Sequence, residues 1–363
     1  MHNTRFIQTR VRSILEPKLC FDQGVPCSRK TLRVTESPET ETETAQEFNI
    51  LQTQHSPRKR KKIGDEHVSE TYDTKYELQI VCFVFDRAQS LMRLLRSLND
   101  AYYYNDKVTL TVWLDRDVND TFDQHTFETV TNFTFLHGNY IINIHNHHVG
   151  LRGQWLNSYN PVNWKENEIV VFFEDDVSVS RYFYRYLKLV HSKYANRTEI
   201  NGYSLQGGRK KLKKGLRGMI EVPYDQPVFK NAFLAPWGFS PKMENWKKFL
   251  EWYDKAHRNE SFHPLIPDHQ SSVLYKIHRK RNTTDQMWTL WHMYYSLQNK
   301  EFTLICNYPD HRGFATHWSE DGVHFQNRKG SQMTPLFMEW HINQALLPDD
   351  PIEIDYAGKR IKK

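Results

Sequence analysis

The chain holds no apolar run approaching the roughly 18 residues that cross a bilayer, so no membrane-spanning helix is expected in it. Residues 1–15 also lack the apolar core of a signal peptide. Cysteine is scarce, four in 363 residues, and no Cys/His spacing has the form of a ribbon or finger, which excludes a structural zinc module. Cys82 and Cys306 lie in strand-like apolar runs and read as small core residues. Cys20 and Cys27 are near enough in sequence to pair, though nothing requires it. There is no internal repeat. Charge of one sign is not abundant either: 49 Lys and Arg face 43 Asp and Glu, for a net +6. The basic runs sit at residues 57–62 and 209–214 rather than along the broad face of a duplex-binding protein. No nucleic-acid partner is expected, and the pattern suits an enzyme with a locally positive site.

Aromatic residues, by contrast, make up 14% of the chain, enough to stack on sugars or bases as well as to fill a core. Five Asn-x-Ser/Thr sequons, at Asn119, Asn132, Asn196, Asn259 and Asn282, point weakly to the secretory pathway. Residues 1–74 are polar, with a low-complexity stretch from Thr35 to Thr44, and such a segment cannot bury enough apolar surface to offset the entropy of ordering. A disordered tail, dispensable for folding, is expected there. Its Lys/Arg cluster reads as a solvated linker or as a nuclear-localisation patch.

Periodicity begins at Tyr76. Leu78 to Phe85 predicts a strand, followed by a helix with Leu91, Leu94, Leu95 and Leu98 on one face. Val108 to Leu114 alternates as a second strand, and Ile141 to Ile144 forms a third before a glycine-flanked helix start at Gly150. A fourth spans residues 168–173, with a helix from about Ser180, its expected N-cap, to Val190. Strands alternating with helices imply a doubly wound, mostly parallel, Rossmann-like α/β sheet. The later half reads as irregular α+β: a helix from about Pro241 to Tyr253, a loop through residue 280, a helix near 284–298 and a strand over Phe302–Cys306.

Chemistry concentrates where the fourth strand ends. Ile169 to Phe173 is a buried-strand run leading directly into Glu174, Asp175 and Asp176. Three adjacent carboxylates repel unless a cation sits among them, and strand ends are where α/β proteins hold ligands. A hard divalent ion chelating a nucleotide diphosphate fits, Mn²⁺ or Mg²⁺ keeping positions for phosphate and water. The plain alternative is that Asp175 and Asp176 only start a turn and helix. Asp115, in the Asp115-Arg116-Asp117 strand end, is a nucleotide-contact candidate or an ordinary turn residue. A carboxylate must also accept a proton from an attacking sugar hydroxyl. Asp285 at an expected helix start is the candidate, with a plain N-cap as its alternative, and Glu320 and Asp321 are its competitors. His317 reads either as a donor to metal or phosphate or as a structural histidine.

Taken in order, these pieces resemble a GT-A-fold, family-2-like glycosyltransferase over residues 76–326, with a looser similarity to the N-acetylglucosaminyltransferase I type. Phe83-Val-Phe-Asp-Arg87 resembles the first-strand element of the nucleotide site, which gives Asp86 and Arg87 a donor-binding role. Val112-Trp-Leu-Asp115 is similar to the strand end whose Asp contacts the uridine. Gly150-Leu-Arg-Gly-Gln-Trp155 resembles the helix start near base and ribose, which implicates Arg152. Val170-Val-Phe-Phe-Glu-Asp-Asp176 looks like the metal motif whose last Asp chelates the ion, which leaves Glu174 and Asp175 beside the nucleotide. Phe233-Leu-Ala-Pro-Trp-Gly-Phe239 resembles the acceptor-side loop, with Trp237 and Gly238 as substrate contacts, and Phe314-Ala-Thr-His-Trp318 the segment closing over the donor.

The resemblance implies a metal-dependent transferase moving a sugar from a nucleotide-sugar, a UDP-sugar, to a glycan or glycoprotein acceptor by inversion. Asp176 and His317 would serve the metal. It implies a donor half at 75–180, an acceptor half at 181–335 and a tail over 336–363. It also implies Golgi residence, although no signal or anchor is read in this chain. Two alternatives stand: a catalytically inactive carbohydrate-binding protein of this fold, and a sugar-nucleotide pyrophosphorylase. The latter needs a glycine-rich phosphate loop after the first strand, and residues 86–95 contain no glycine.

Overall fold

The computed structural model describes residues 27–34, 48–53, 74–208, 210–321, 330–340 and 346–361. Two short strands come first, β1 (Cys27–Val34) and β2 (Phe48–Thr53), antiparallel to each other. They fall within the expected tail, the rest of which lies outside the described residues apart from Thr74. Four strands follow in parallel: β3 (Glu77–Val84), β4 (Lys107–Leu114), β5 (Asn139–Ile144) and β6 (Glu168–Glu174). Their order is β6-β3-β4-β5, with β1 added parallel to β5.

Burial explains why these segments are strands. In β3, Leu78, Ile80, Cys82 and Val84 enter one core while Val81 and Phe83 enter another. In β6, Ile169, Val171 and Phe173 divide from Val170 and Phe172 in the same way. A strand covered on both faces reads as an unbroken apolar run, the signature of a parallel sheet between helical layers. The first core is covered by α1 (Ala88–Asn99), α2 (Gln124–Asn132) and α4 (Phe183–Lys193). The second is covered by α3 (Gly150–Asn157), α5 (Met243–His257), α6 (Gln270–Lys280) and α7 (Trp288–Asn299). The mixed α/β class with a mostly parallel central sheet is thus as the sequence indicates, and Cys82 and Cys306 are buried free thiols.

The later half extends the sheet with β8 (Ile200–Gly207), β9 (Val228–Asn231), β10 (Phe239–Pro241) and β11 (Phe302–Cys306). β10 runs antiparallel between β6 and β8, which makes β8 parallel to β6. A smaller layer joins β7 (Val177–Val179), β12 (Ala315–Ser319) and β13 (Ser331–Gln332), and β14 (Glu353–Ile354) lies along β9.

Three expectations are corrected. The helix expected from about Ser180 begins at Phe183: Ser180 Oγ accepts from Tyr182 N at 3.1 Å and Ser180 O from Phe183 N at 3.1 Å, closing a turn that leads into the helix. The loop expected through residue 280 contains α6, capped by His269, which accepts from Ser271 N at 3.2 Å. The helix near 284–298 is a 3-10 turn, Thr284–Gln286, followed by α7 from Trp288; Met287, at φ −118° and ψ 40°, breaks the path between them. Among the described residues no helix is long and apolar enough to cross a membrane. All five sequon asparagines are exposed.

Candidate functional site

Sheet order sets the position of the site. From β3 the chain moves outward to β4 and β5, then returns on the other side of β3 to form β6. That reversal is a topological switch point at the carboxyl ends of β3 and β6, the place where open α/β sheets take ligands. Asp86 and Arg87 follow the end of β3, and Glu174, Asp175 and Asp176 stand at the end of β6.

The cation among the carboxylates is a side chain of this chain. Arg87 Nη1 donates to Asp176 Oδ2 at 2.7 Å, and Nη2 donates to Asp175 Oδ1. Both aspartates are buried, at 2% and 5% exposure, so the fork is a largely desolvated ion pair. A second group arrives from β12. Val177 faces His317 in the β7–β12 pairing, which carries His317 Nε2 to 3.2 Å from Asp176 Oδ2, while Trp318 N donates to Asp176 O at 2.8 Å. The His317 ring stacks on Trp237 with centroids 4.6 Å apart and planes at 10°.

Gly238 makes that stack possible. It sits at φ +75°, and a Cβ there would stand 3.0 Å from Ala315 Cβ and Leu205 Cβ. Only glycine lets the segment leading into β10 run this close to β8 and β12. Glu174 is fixed from the opposite face. Its Oε1 accepts from Trp155 Nε1 at 3.0 Å, and Trp155 stacks on Trp288 at 4.1 Å. In the sequence Trp155 stands only as the end of a helix-start element; its value as the clamp on Glu174 depends on a contact that no local pattern signals.

The electrostatics follow from burial. Glu174 and Asp175 are pushed up, to about 7 and about 6, chiefly by desolvation and then by the neighbouring Asp176 charge, with Arg87 opposing. Burial works on Asp176 too, but His317 and Arg87 more than offset it and hold this carboxyl below the usual range. Burial opposes the Arg87 charge, which Asp175 and Asp176 outweigh, so the guanidinium stays charged.

A divalent ion fits here at one point. Asp176 Oδ1 is buried with no hydrogen-bond partner, and so is His317 Nδ1. Among the described residues no three His, Cys, Asp or Glu side chains are grouped to hold an ion by themselves. An ion on Asp176 would therefore take its other ligands from phosphate and water, as Mg²⁺ commonly does.

The remaining candidates are spread around this centre. Asp115 is buried, and both its oxygens are used: Oδ1 accepts from Val149 N at 2.9 Å and Oδ2 from Gly150 N at 2.8 Å. It caps α3 from a neighbouring strand end. Arg152 lines a cavity of about 490 Å³ with Leu156, Tyr253, Asp254 and His257, between α3 and α5. Glu320 is held by Ser90 and Arg93 of α1, and Asp321 O accepts from Arg87 Nη1 at 3.4 Å. Asp285 lies in the 3-10 turn that packs against α3 and α6, two residues before the α7 cap. The structure thus gathers Arg87, Glu174, Asp175, Asp176, His317 and Trp237, with Glu320 and Asp321 beside them. Arg152 lies off to the α5 side.

No family profile matches the chain, and no curated protein does. Among solved structures it is similar to the crystal structure of S. aureus TarS 1-349, at 13% identity and a TM-score of 0.34, over 65% of this chain and 61% of that one. The chain thus spans about three-fifths of the length of that structure. At that score the likeness carries no chemistry.

Proposed function

We propose that the chain is a metal-dependent glycosyltransferase, moving a sugar from a UDP-sugar to a glycan or glycoprotein acceptor. The observation that supports this reading best is the cluster at the β3–β6 reversal, where Arg87 and His317 meet three carboxylates beside the Trp237 ring. Arg87 is the group for the donor diphosphate: it is permanently charged, and its planar fork, held by Asp175 and Asp176 in the ion-free site, matches phosphate oxygens once an ion takes up the Asp176 charge. An Mn²⁺ or Mg²⁺ ion on Asp176 supplies, when bound, Lewis-acid stabilisation of the leaving diphosphate. Trp237 offers a flat apolar face for a sugar ring, held rigid by His317.

In the transfer the acceptor oxygen bonds to the anomeric carbon and the bond to the diphosphate oxygen breaks, with its electron pair leaving on UDP. The acceptor proton passes to a carboxylate. Asp285 is the candidate for that role, with Glu320, held by Ser90 and Arg93, and Asp321 as its competitors. One in-line displacement of this kind inverts the anomeric centre.

Calorimetric titration of UDP with and without Mn²⁺ tests the assignment in wild-type protein and Asp176→Asn. Mn²⁺-dependent UDP binding that disappears in a folded variant is expected. Unchanged UDP affinity in the variant sinks the metal assignment, and no UDP binding by the wild type sinks the donor reading.

A further inference from the structure

Residues 210–219 form an arm that follows β8 at the same end of the sheet as the carboxylates. Phe172 of β6, Phe239 of β10 and Ser204 of β8 stand in one row, so Gln206 is level with Glu174, each two residues further on. With neighbouring strands about 4.8 Å apart, these two positions are roughly 10 Å from each other. β12 joins them: Ala315 pairs with Gln206, and His317 reaches Asp176.

The arm is held in place. Lys210 bridges to Met219 across its base, and Lys211 N donates to Gly218 O at 3.0 Å. Its flanks are bonded as well: Leu212 N to Tyr356 O at 2.8 Å, Gln270 N to Leu212 O at 2.7 Å, and Lys214 N to Asp268 O at 2.7 Å. At the tip, Gly215 and Gly218 adopt positive φ, with nothing within 4 Å of a built Cβ. Lys210, Lys213, Lys214 and Arg217 are exposed along the arm, and the adjoining turn adds exposed Lys359 and Arg360. None of the six makes an ion pair among the described residues. Six like charges on a fixed scaffold repel one another, a cost that an anionic partner removes.

We propose that this arm binds an acidic glycan, one bearing phosphate, sulfate or carboxylate groups, and directs it as acceptor toward the Trp237–His317 stack. The acceptor role rests on the transferase reading; the binding does not. A sugar chain suits the surface better than a membrane or a nucleic acid, because the arm lies at the same end of the sheet as an indole stack fit for a pyranose face, which a flat bilayer would leave unused.

Fluorescence anisotropy of the full chain with a labelled heparin-derived octasaccharide tests this, with maltooctaose, oligo-dT and phosphatidylserine vesicles as comparisons. The acidic octasaccharide is expected to bind at least about tenfold tighter than maltooctaose and to weaken as NaCl is raised. Lys213→Glu/Lys214→Glu/Arg217→Glu is expected to lose at least about tenfold of that affinity with UDP affinity unchanged. Lys213→Gln/Lys214→Gln gives the same direction should the triple variant fold poorly. Equal octasaccharide affinity in wild type and variants overturns the proposal, as does tighter binding of oligo-dT or vesicles. Octasaccharide binding that behaves as expected in a protein that fails to bind UDP upholds the surface and overturns only the transferase reading.

Discussion

Arg87 changes the meaning of the acidic triplet. Three carboxylates at a strand end call for a cation, and the chain supplies one itself, across Asp175 and Asp176. The triplet was legible in the sequence because a strand-like run ends in it; its counter-ion was not, because Arg87 sits on a different strand end and nothing local pairs them. Glu174 is the member Arg87 does not hydrogen-bond, and its raised pKa has a measurable consequence. A carboxyl pushed up to about 7 by burial and by Asp176 binds its proton more tightly in the folded than in the unfolded chain. Stability from this group is therefore present at low pH and lost as pH rises from the unfolded value, near 4.5, through about 7. Glu174→Gln removes that loss and keeps an oxygen for Trp155 Nε1. At pH 8 the ion-free variant is expected to be more stable than wild type by about 1–3 kcal/mol, with the gap closing near pH 4. Paired thermal melts at the two pH values check it, and a gap independent of pH contradicts it.

At the scale of elements, the first half of the sheet was readable and the later half much less so. β3, β4 and β6 are apolar or alternating runs bounded by charge, and α1 carries its leucines on one buried face. β8 gave no such signal: Asn201, Gly202, Ser204 and Gln206 interrupt it, although every residue of the strand is buried. Their polar groups are satisfied internally, as where Asn201 Nδ2 donates to Ser296 Oγ at 2.9 Å. α6 was hidden for the opposite reason. Its Leu274 and Ile277 are exposed, so no apolar stripe marks a buried face. The loop before β10 carries Trp237 and Gly238, and the structure gives the reason for the glycine. Gly238→Ala places a Cβ among Ala315 and Leu205 at a positive φ, which is expected to cost about 1–3 kcal/mol. It also disturbs the seat of Trp237, so transfer to acceptor should fall further than donor hydrolysis does. A melting temperature equal to wild type contradicts the packing account.

Across the whole molecule, the site elements begin at β3, while β1 and β2 extend the sheet at the far β5 edge. A chain starting at residue 71 is thus expected to keep wild-type UDP affinity. It also leaves β5 as an apolar edge strand with unpaired backbone groups, which favours self-association. Size-exclusion chromatography combined with UDP titration reads both effects. A soluble, monomeric truncation that no longer binds UDP would show that residues 1–70 contribute to the proposed site.

The central claim is that the cluster at the β3–β6 strand ends activates a nucleotide-sugar. The most direct measurement is a panel of nucleotide-sugars incubated with the protein and Mn²⁺, scored by release of free nucleotide with and without Asp176→Asn. The account predicts that at least one UDP-sugar is hydrolysed by wild type, that release stops when Mn²⁺ is chelated, and that Asp176→Asn abolishes it. Release that persists undiminished in Asp176→Asn, or a panel in which no UDP-sugar is turned over, contradicts the account.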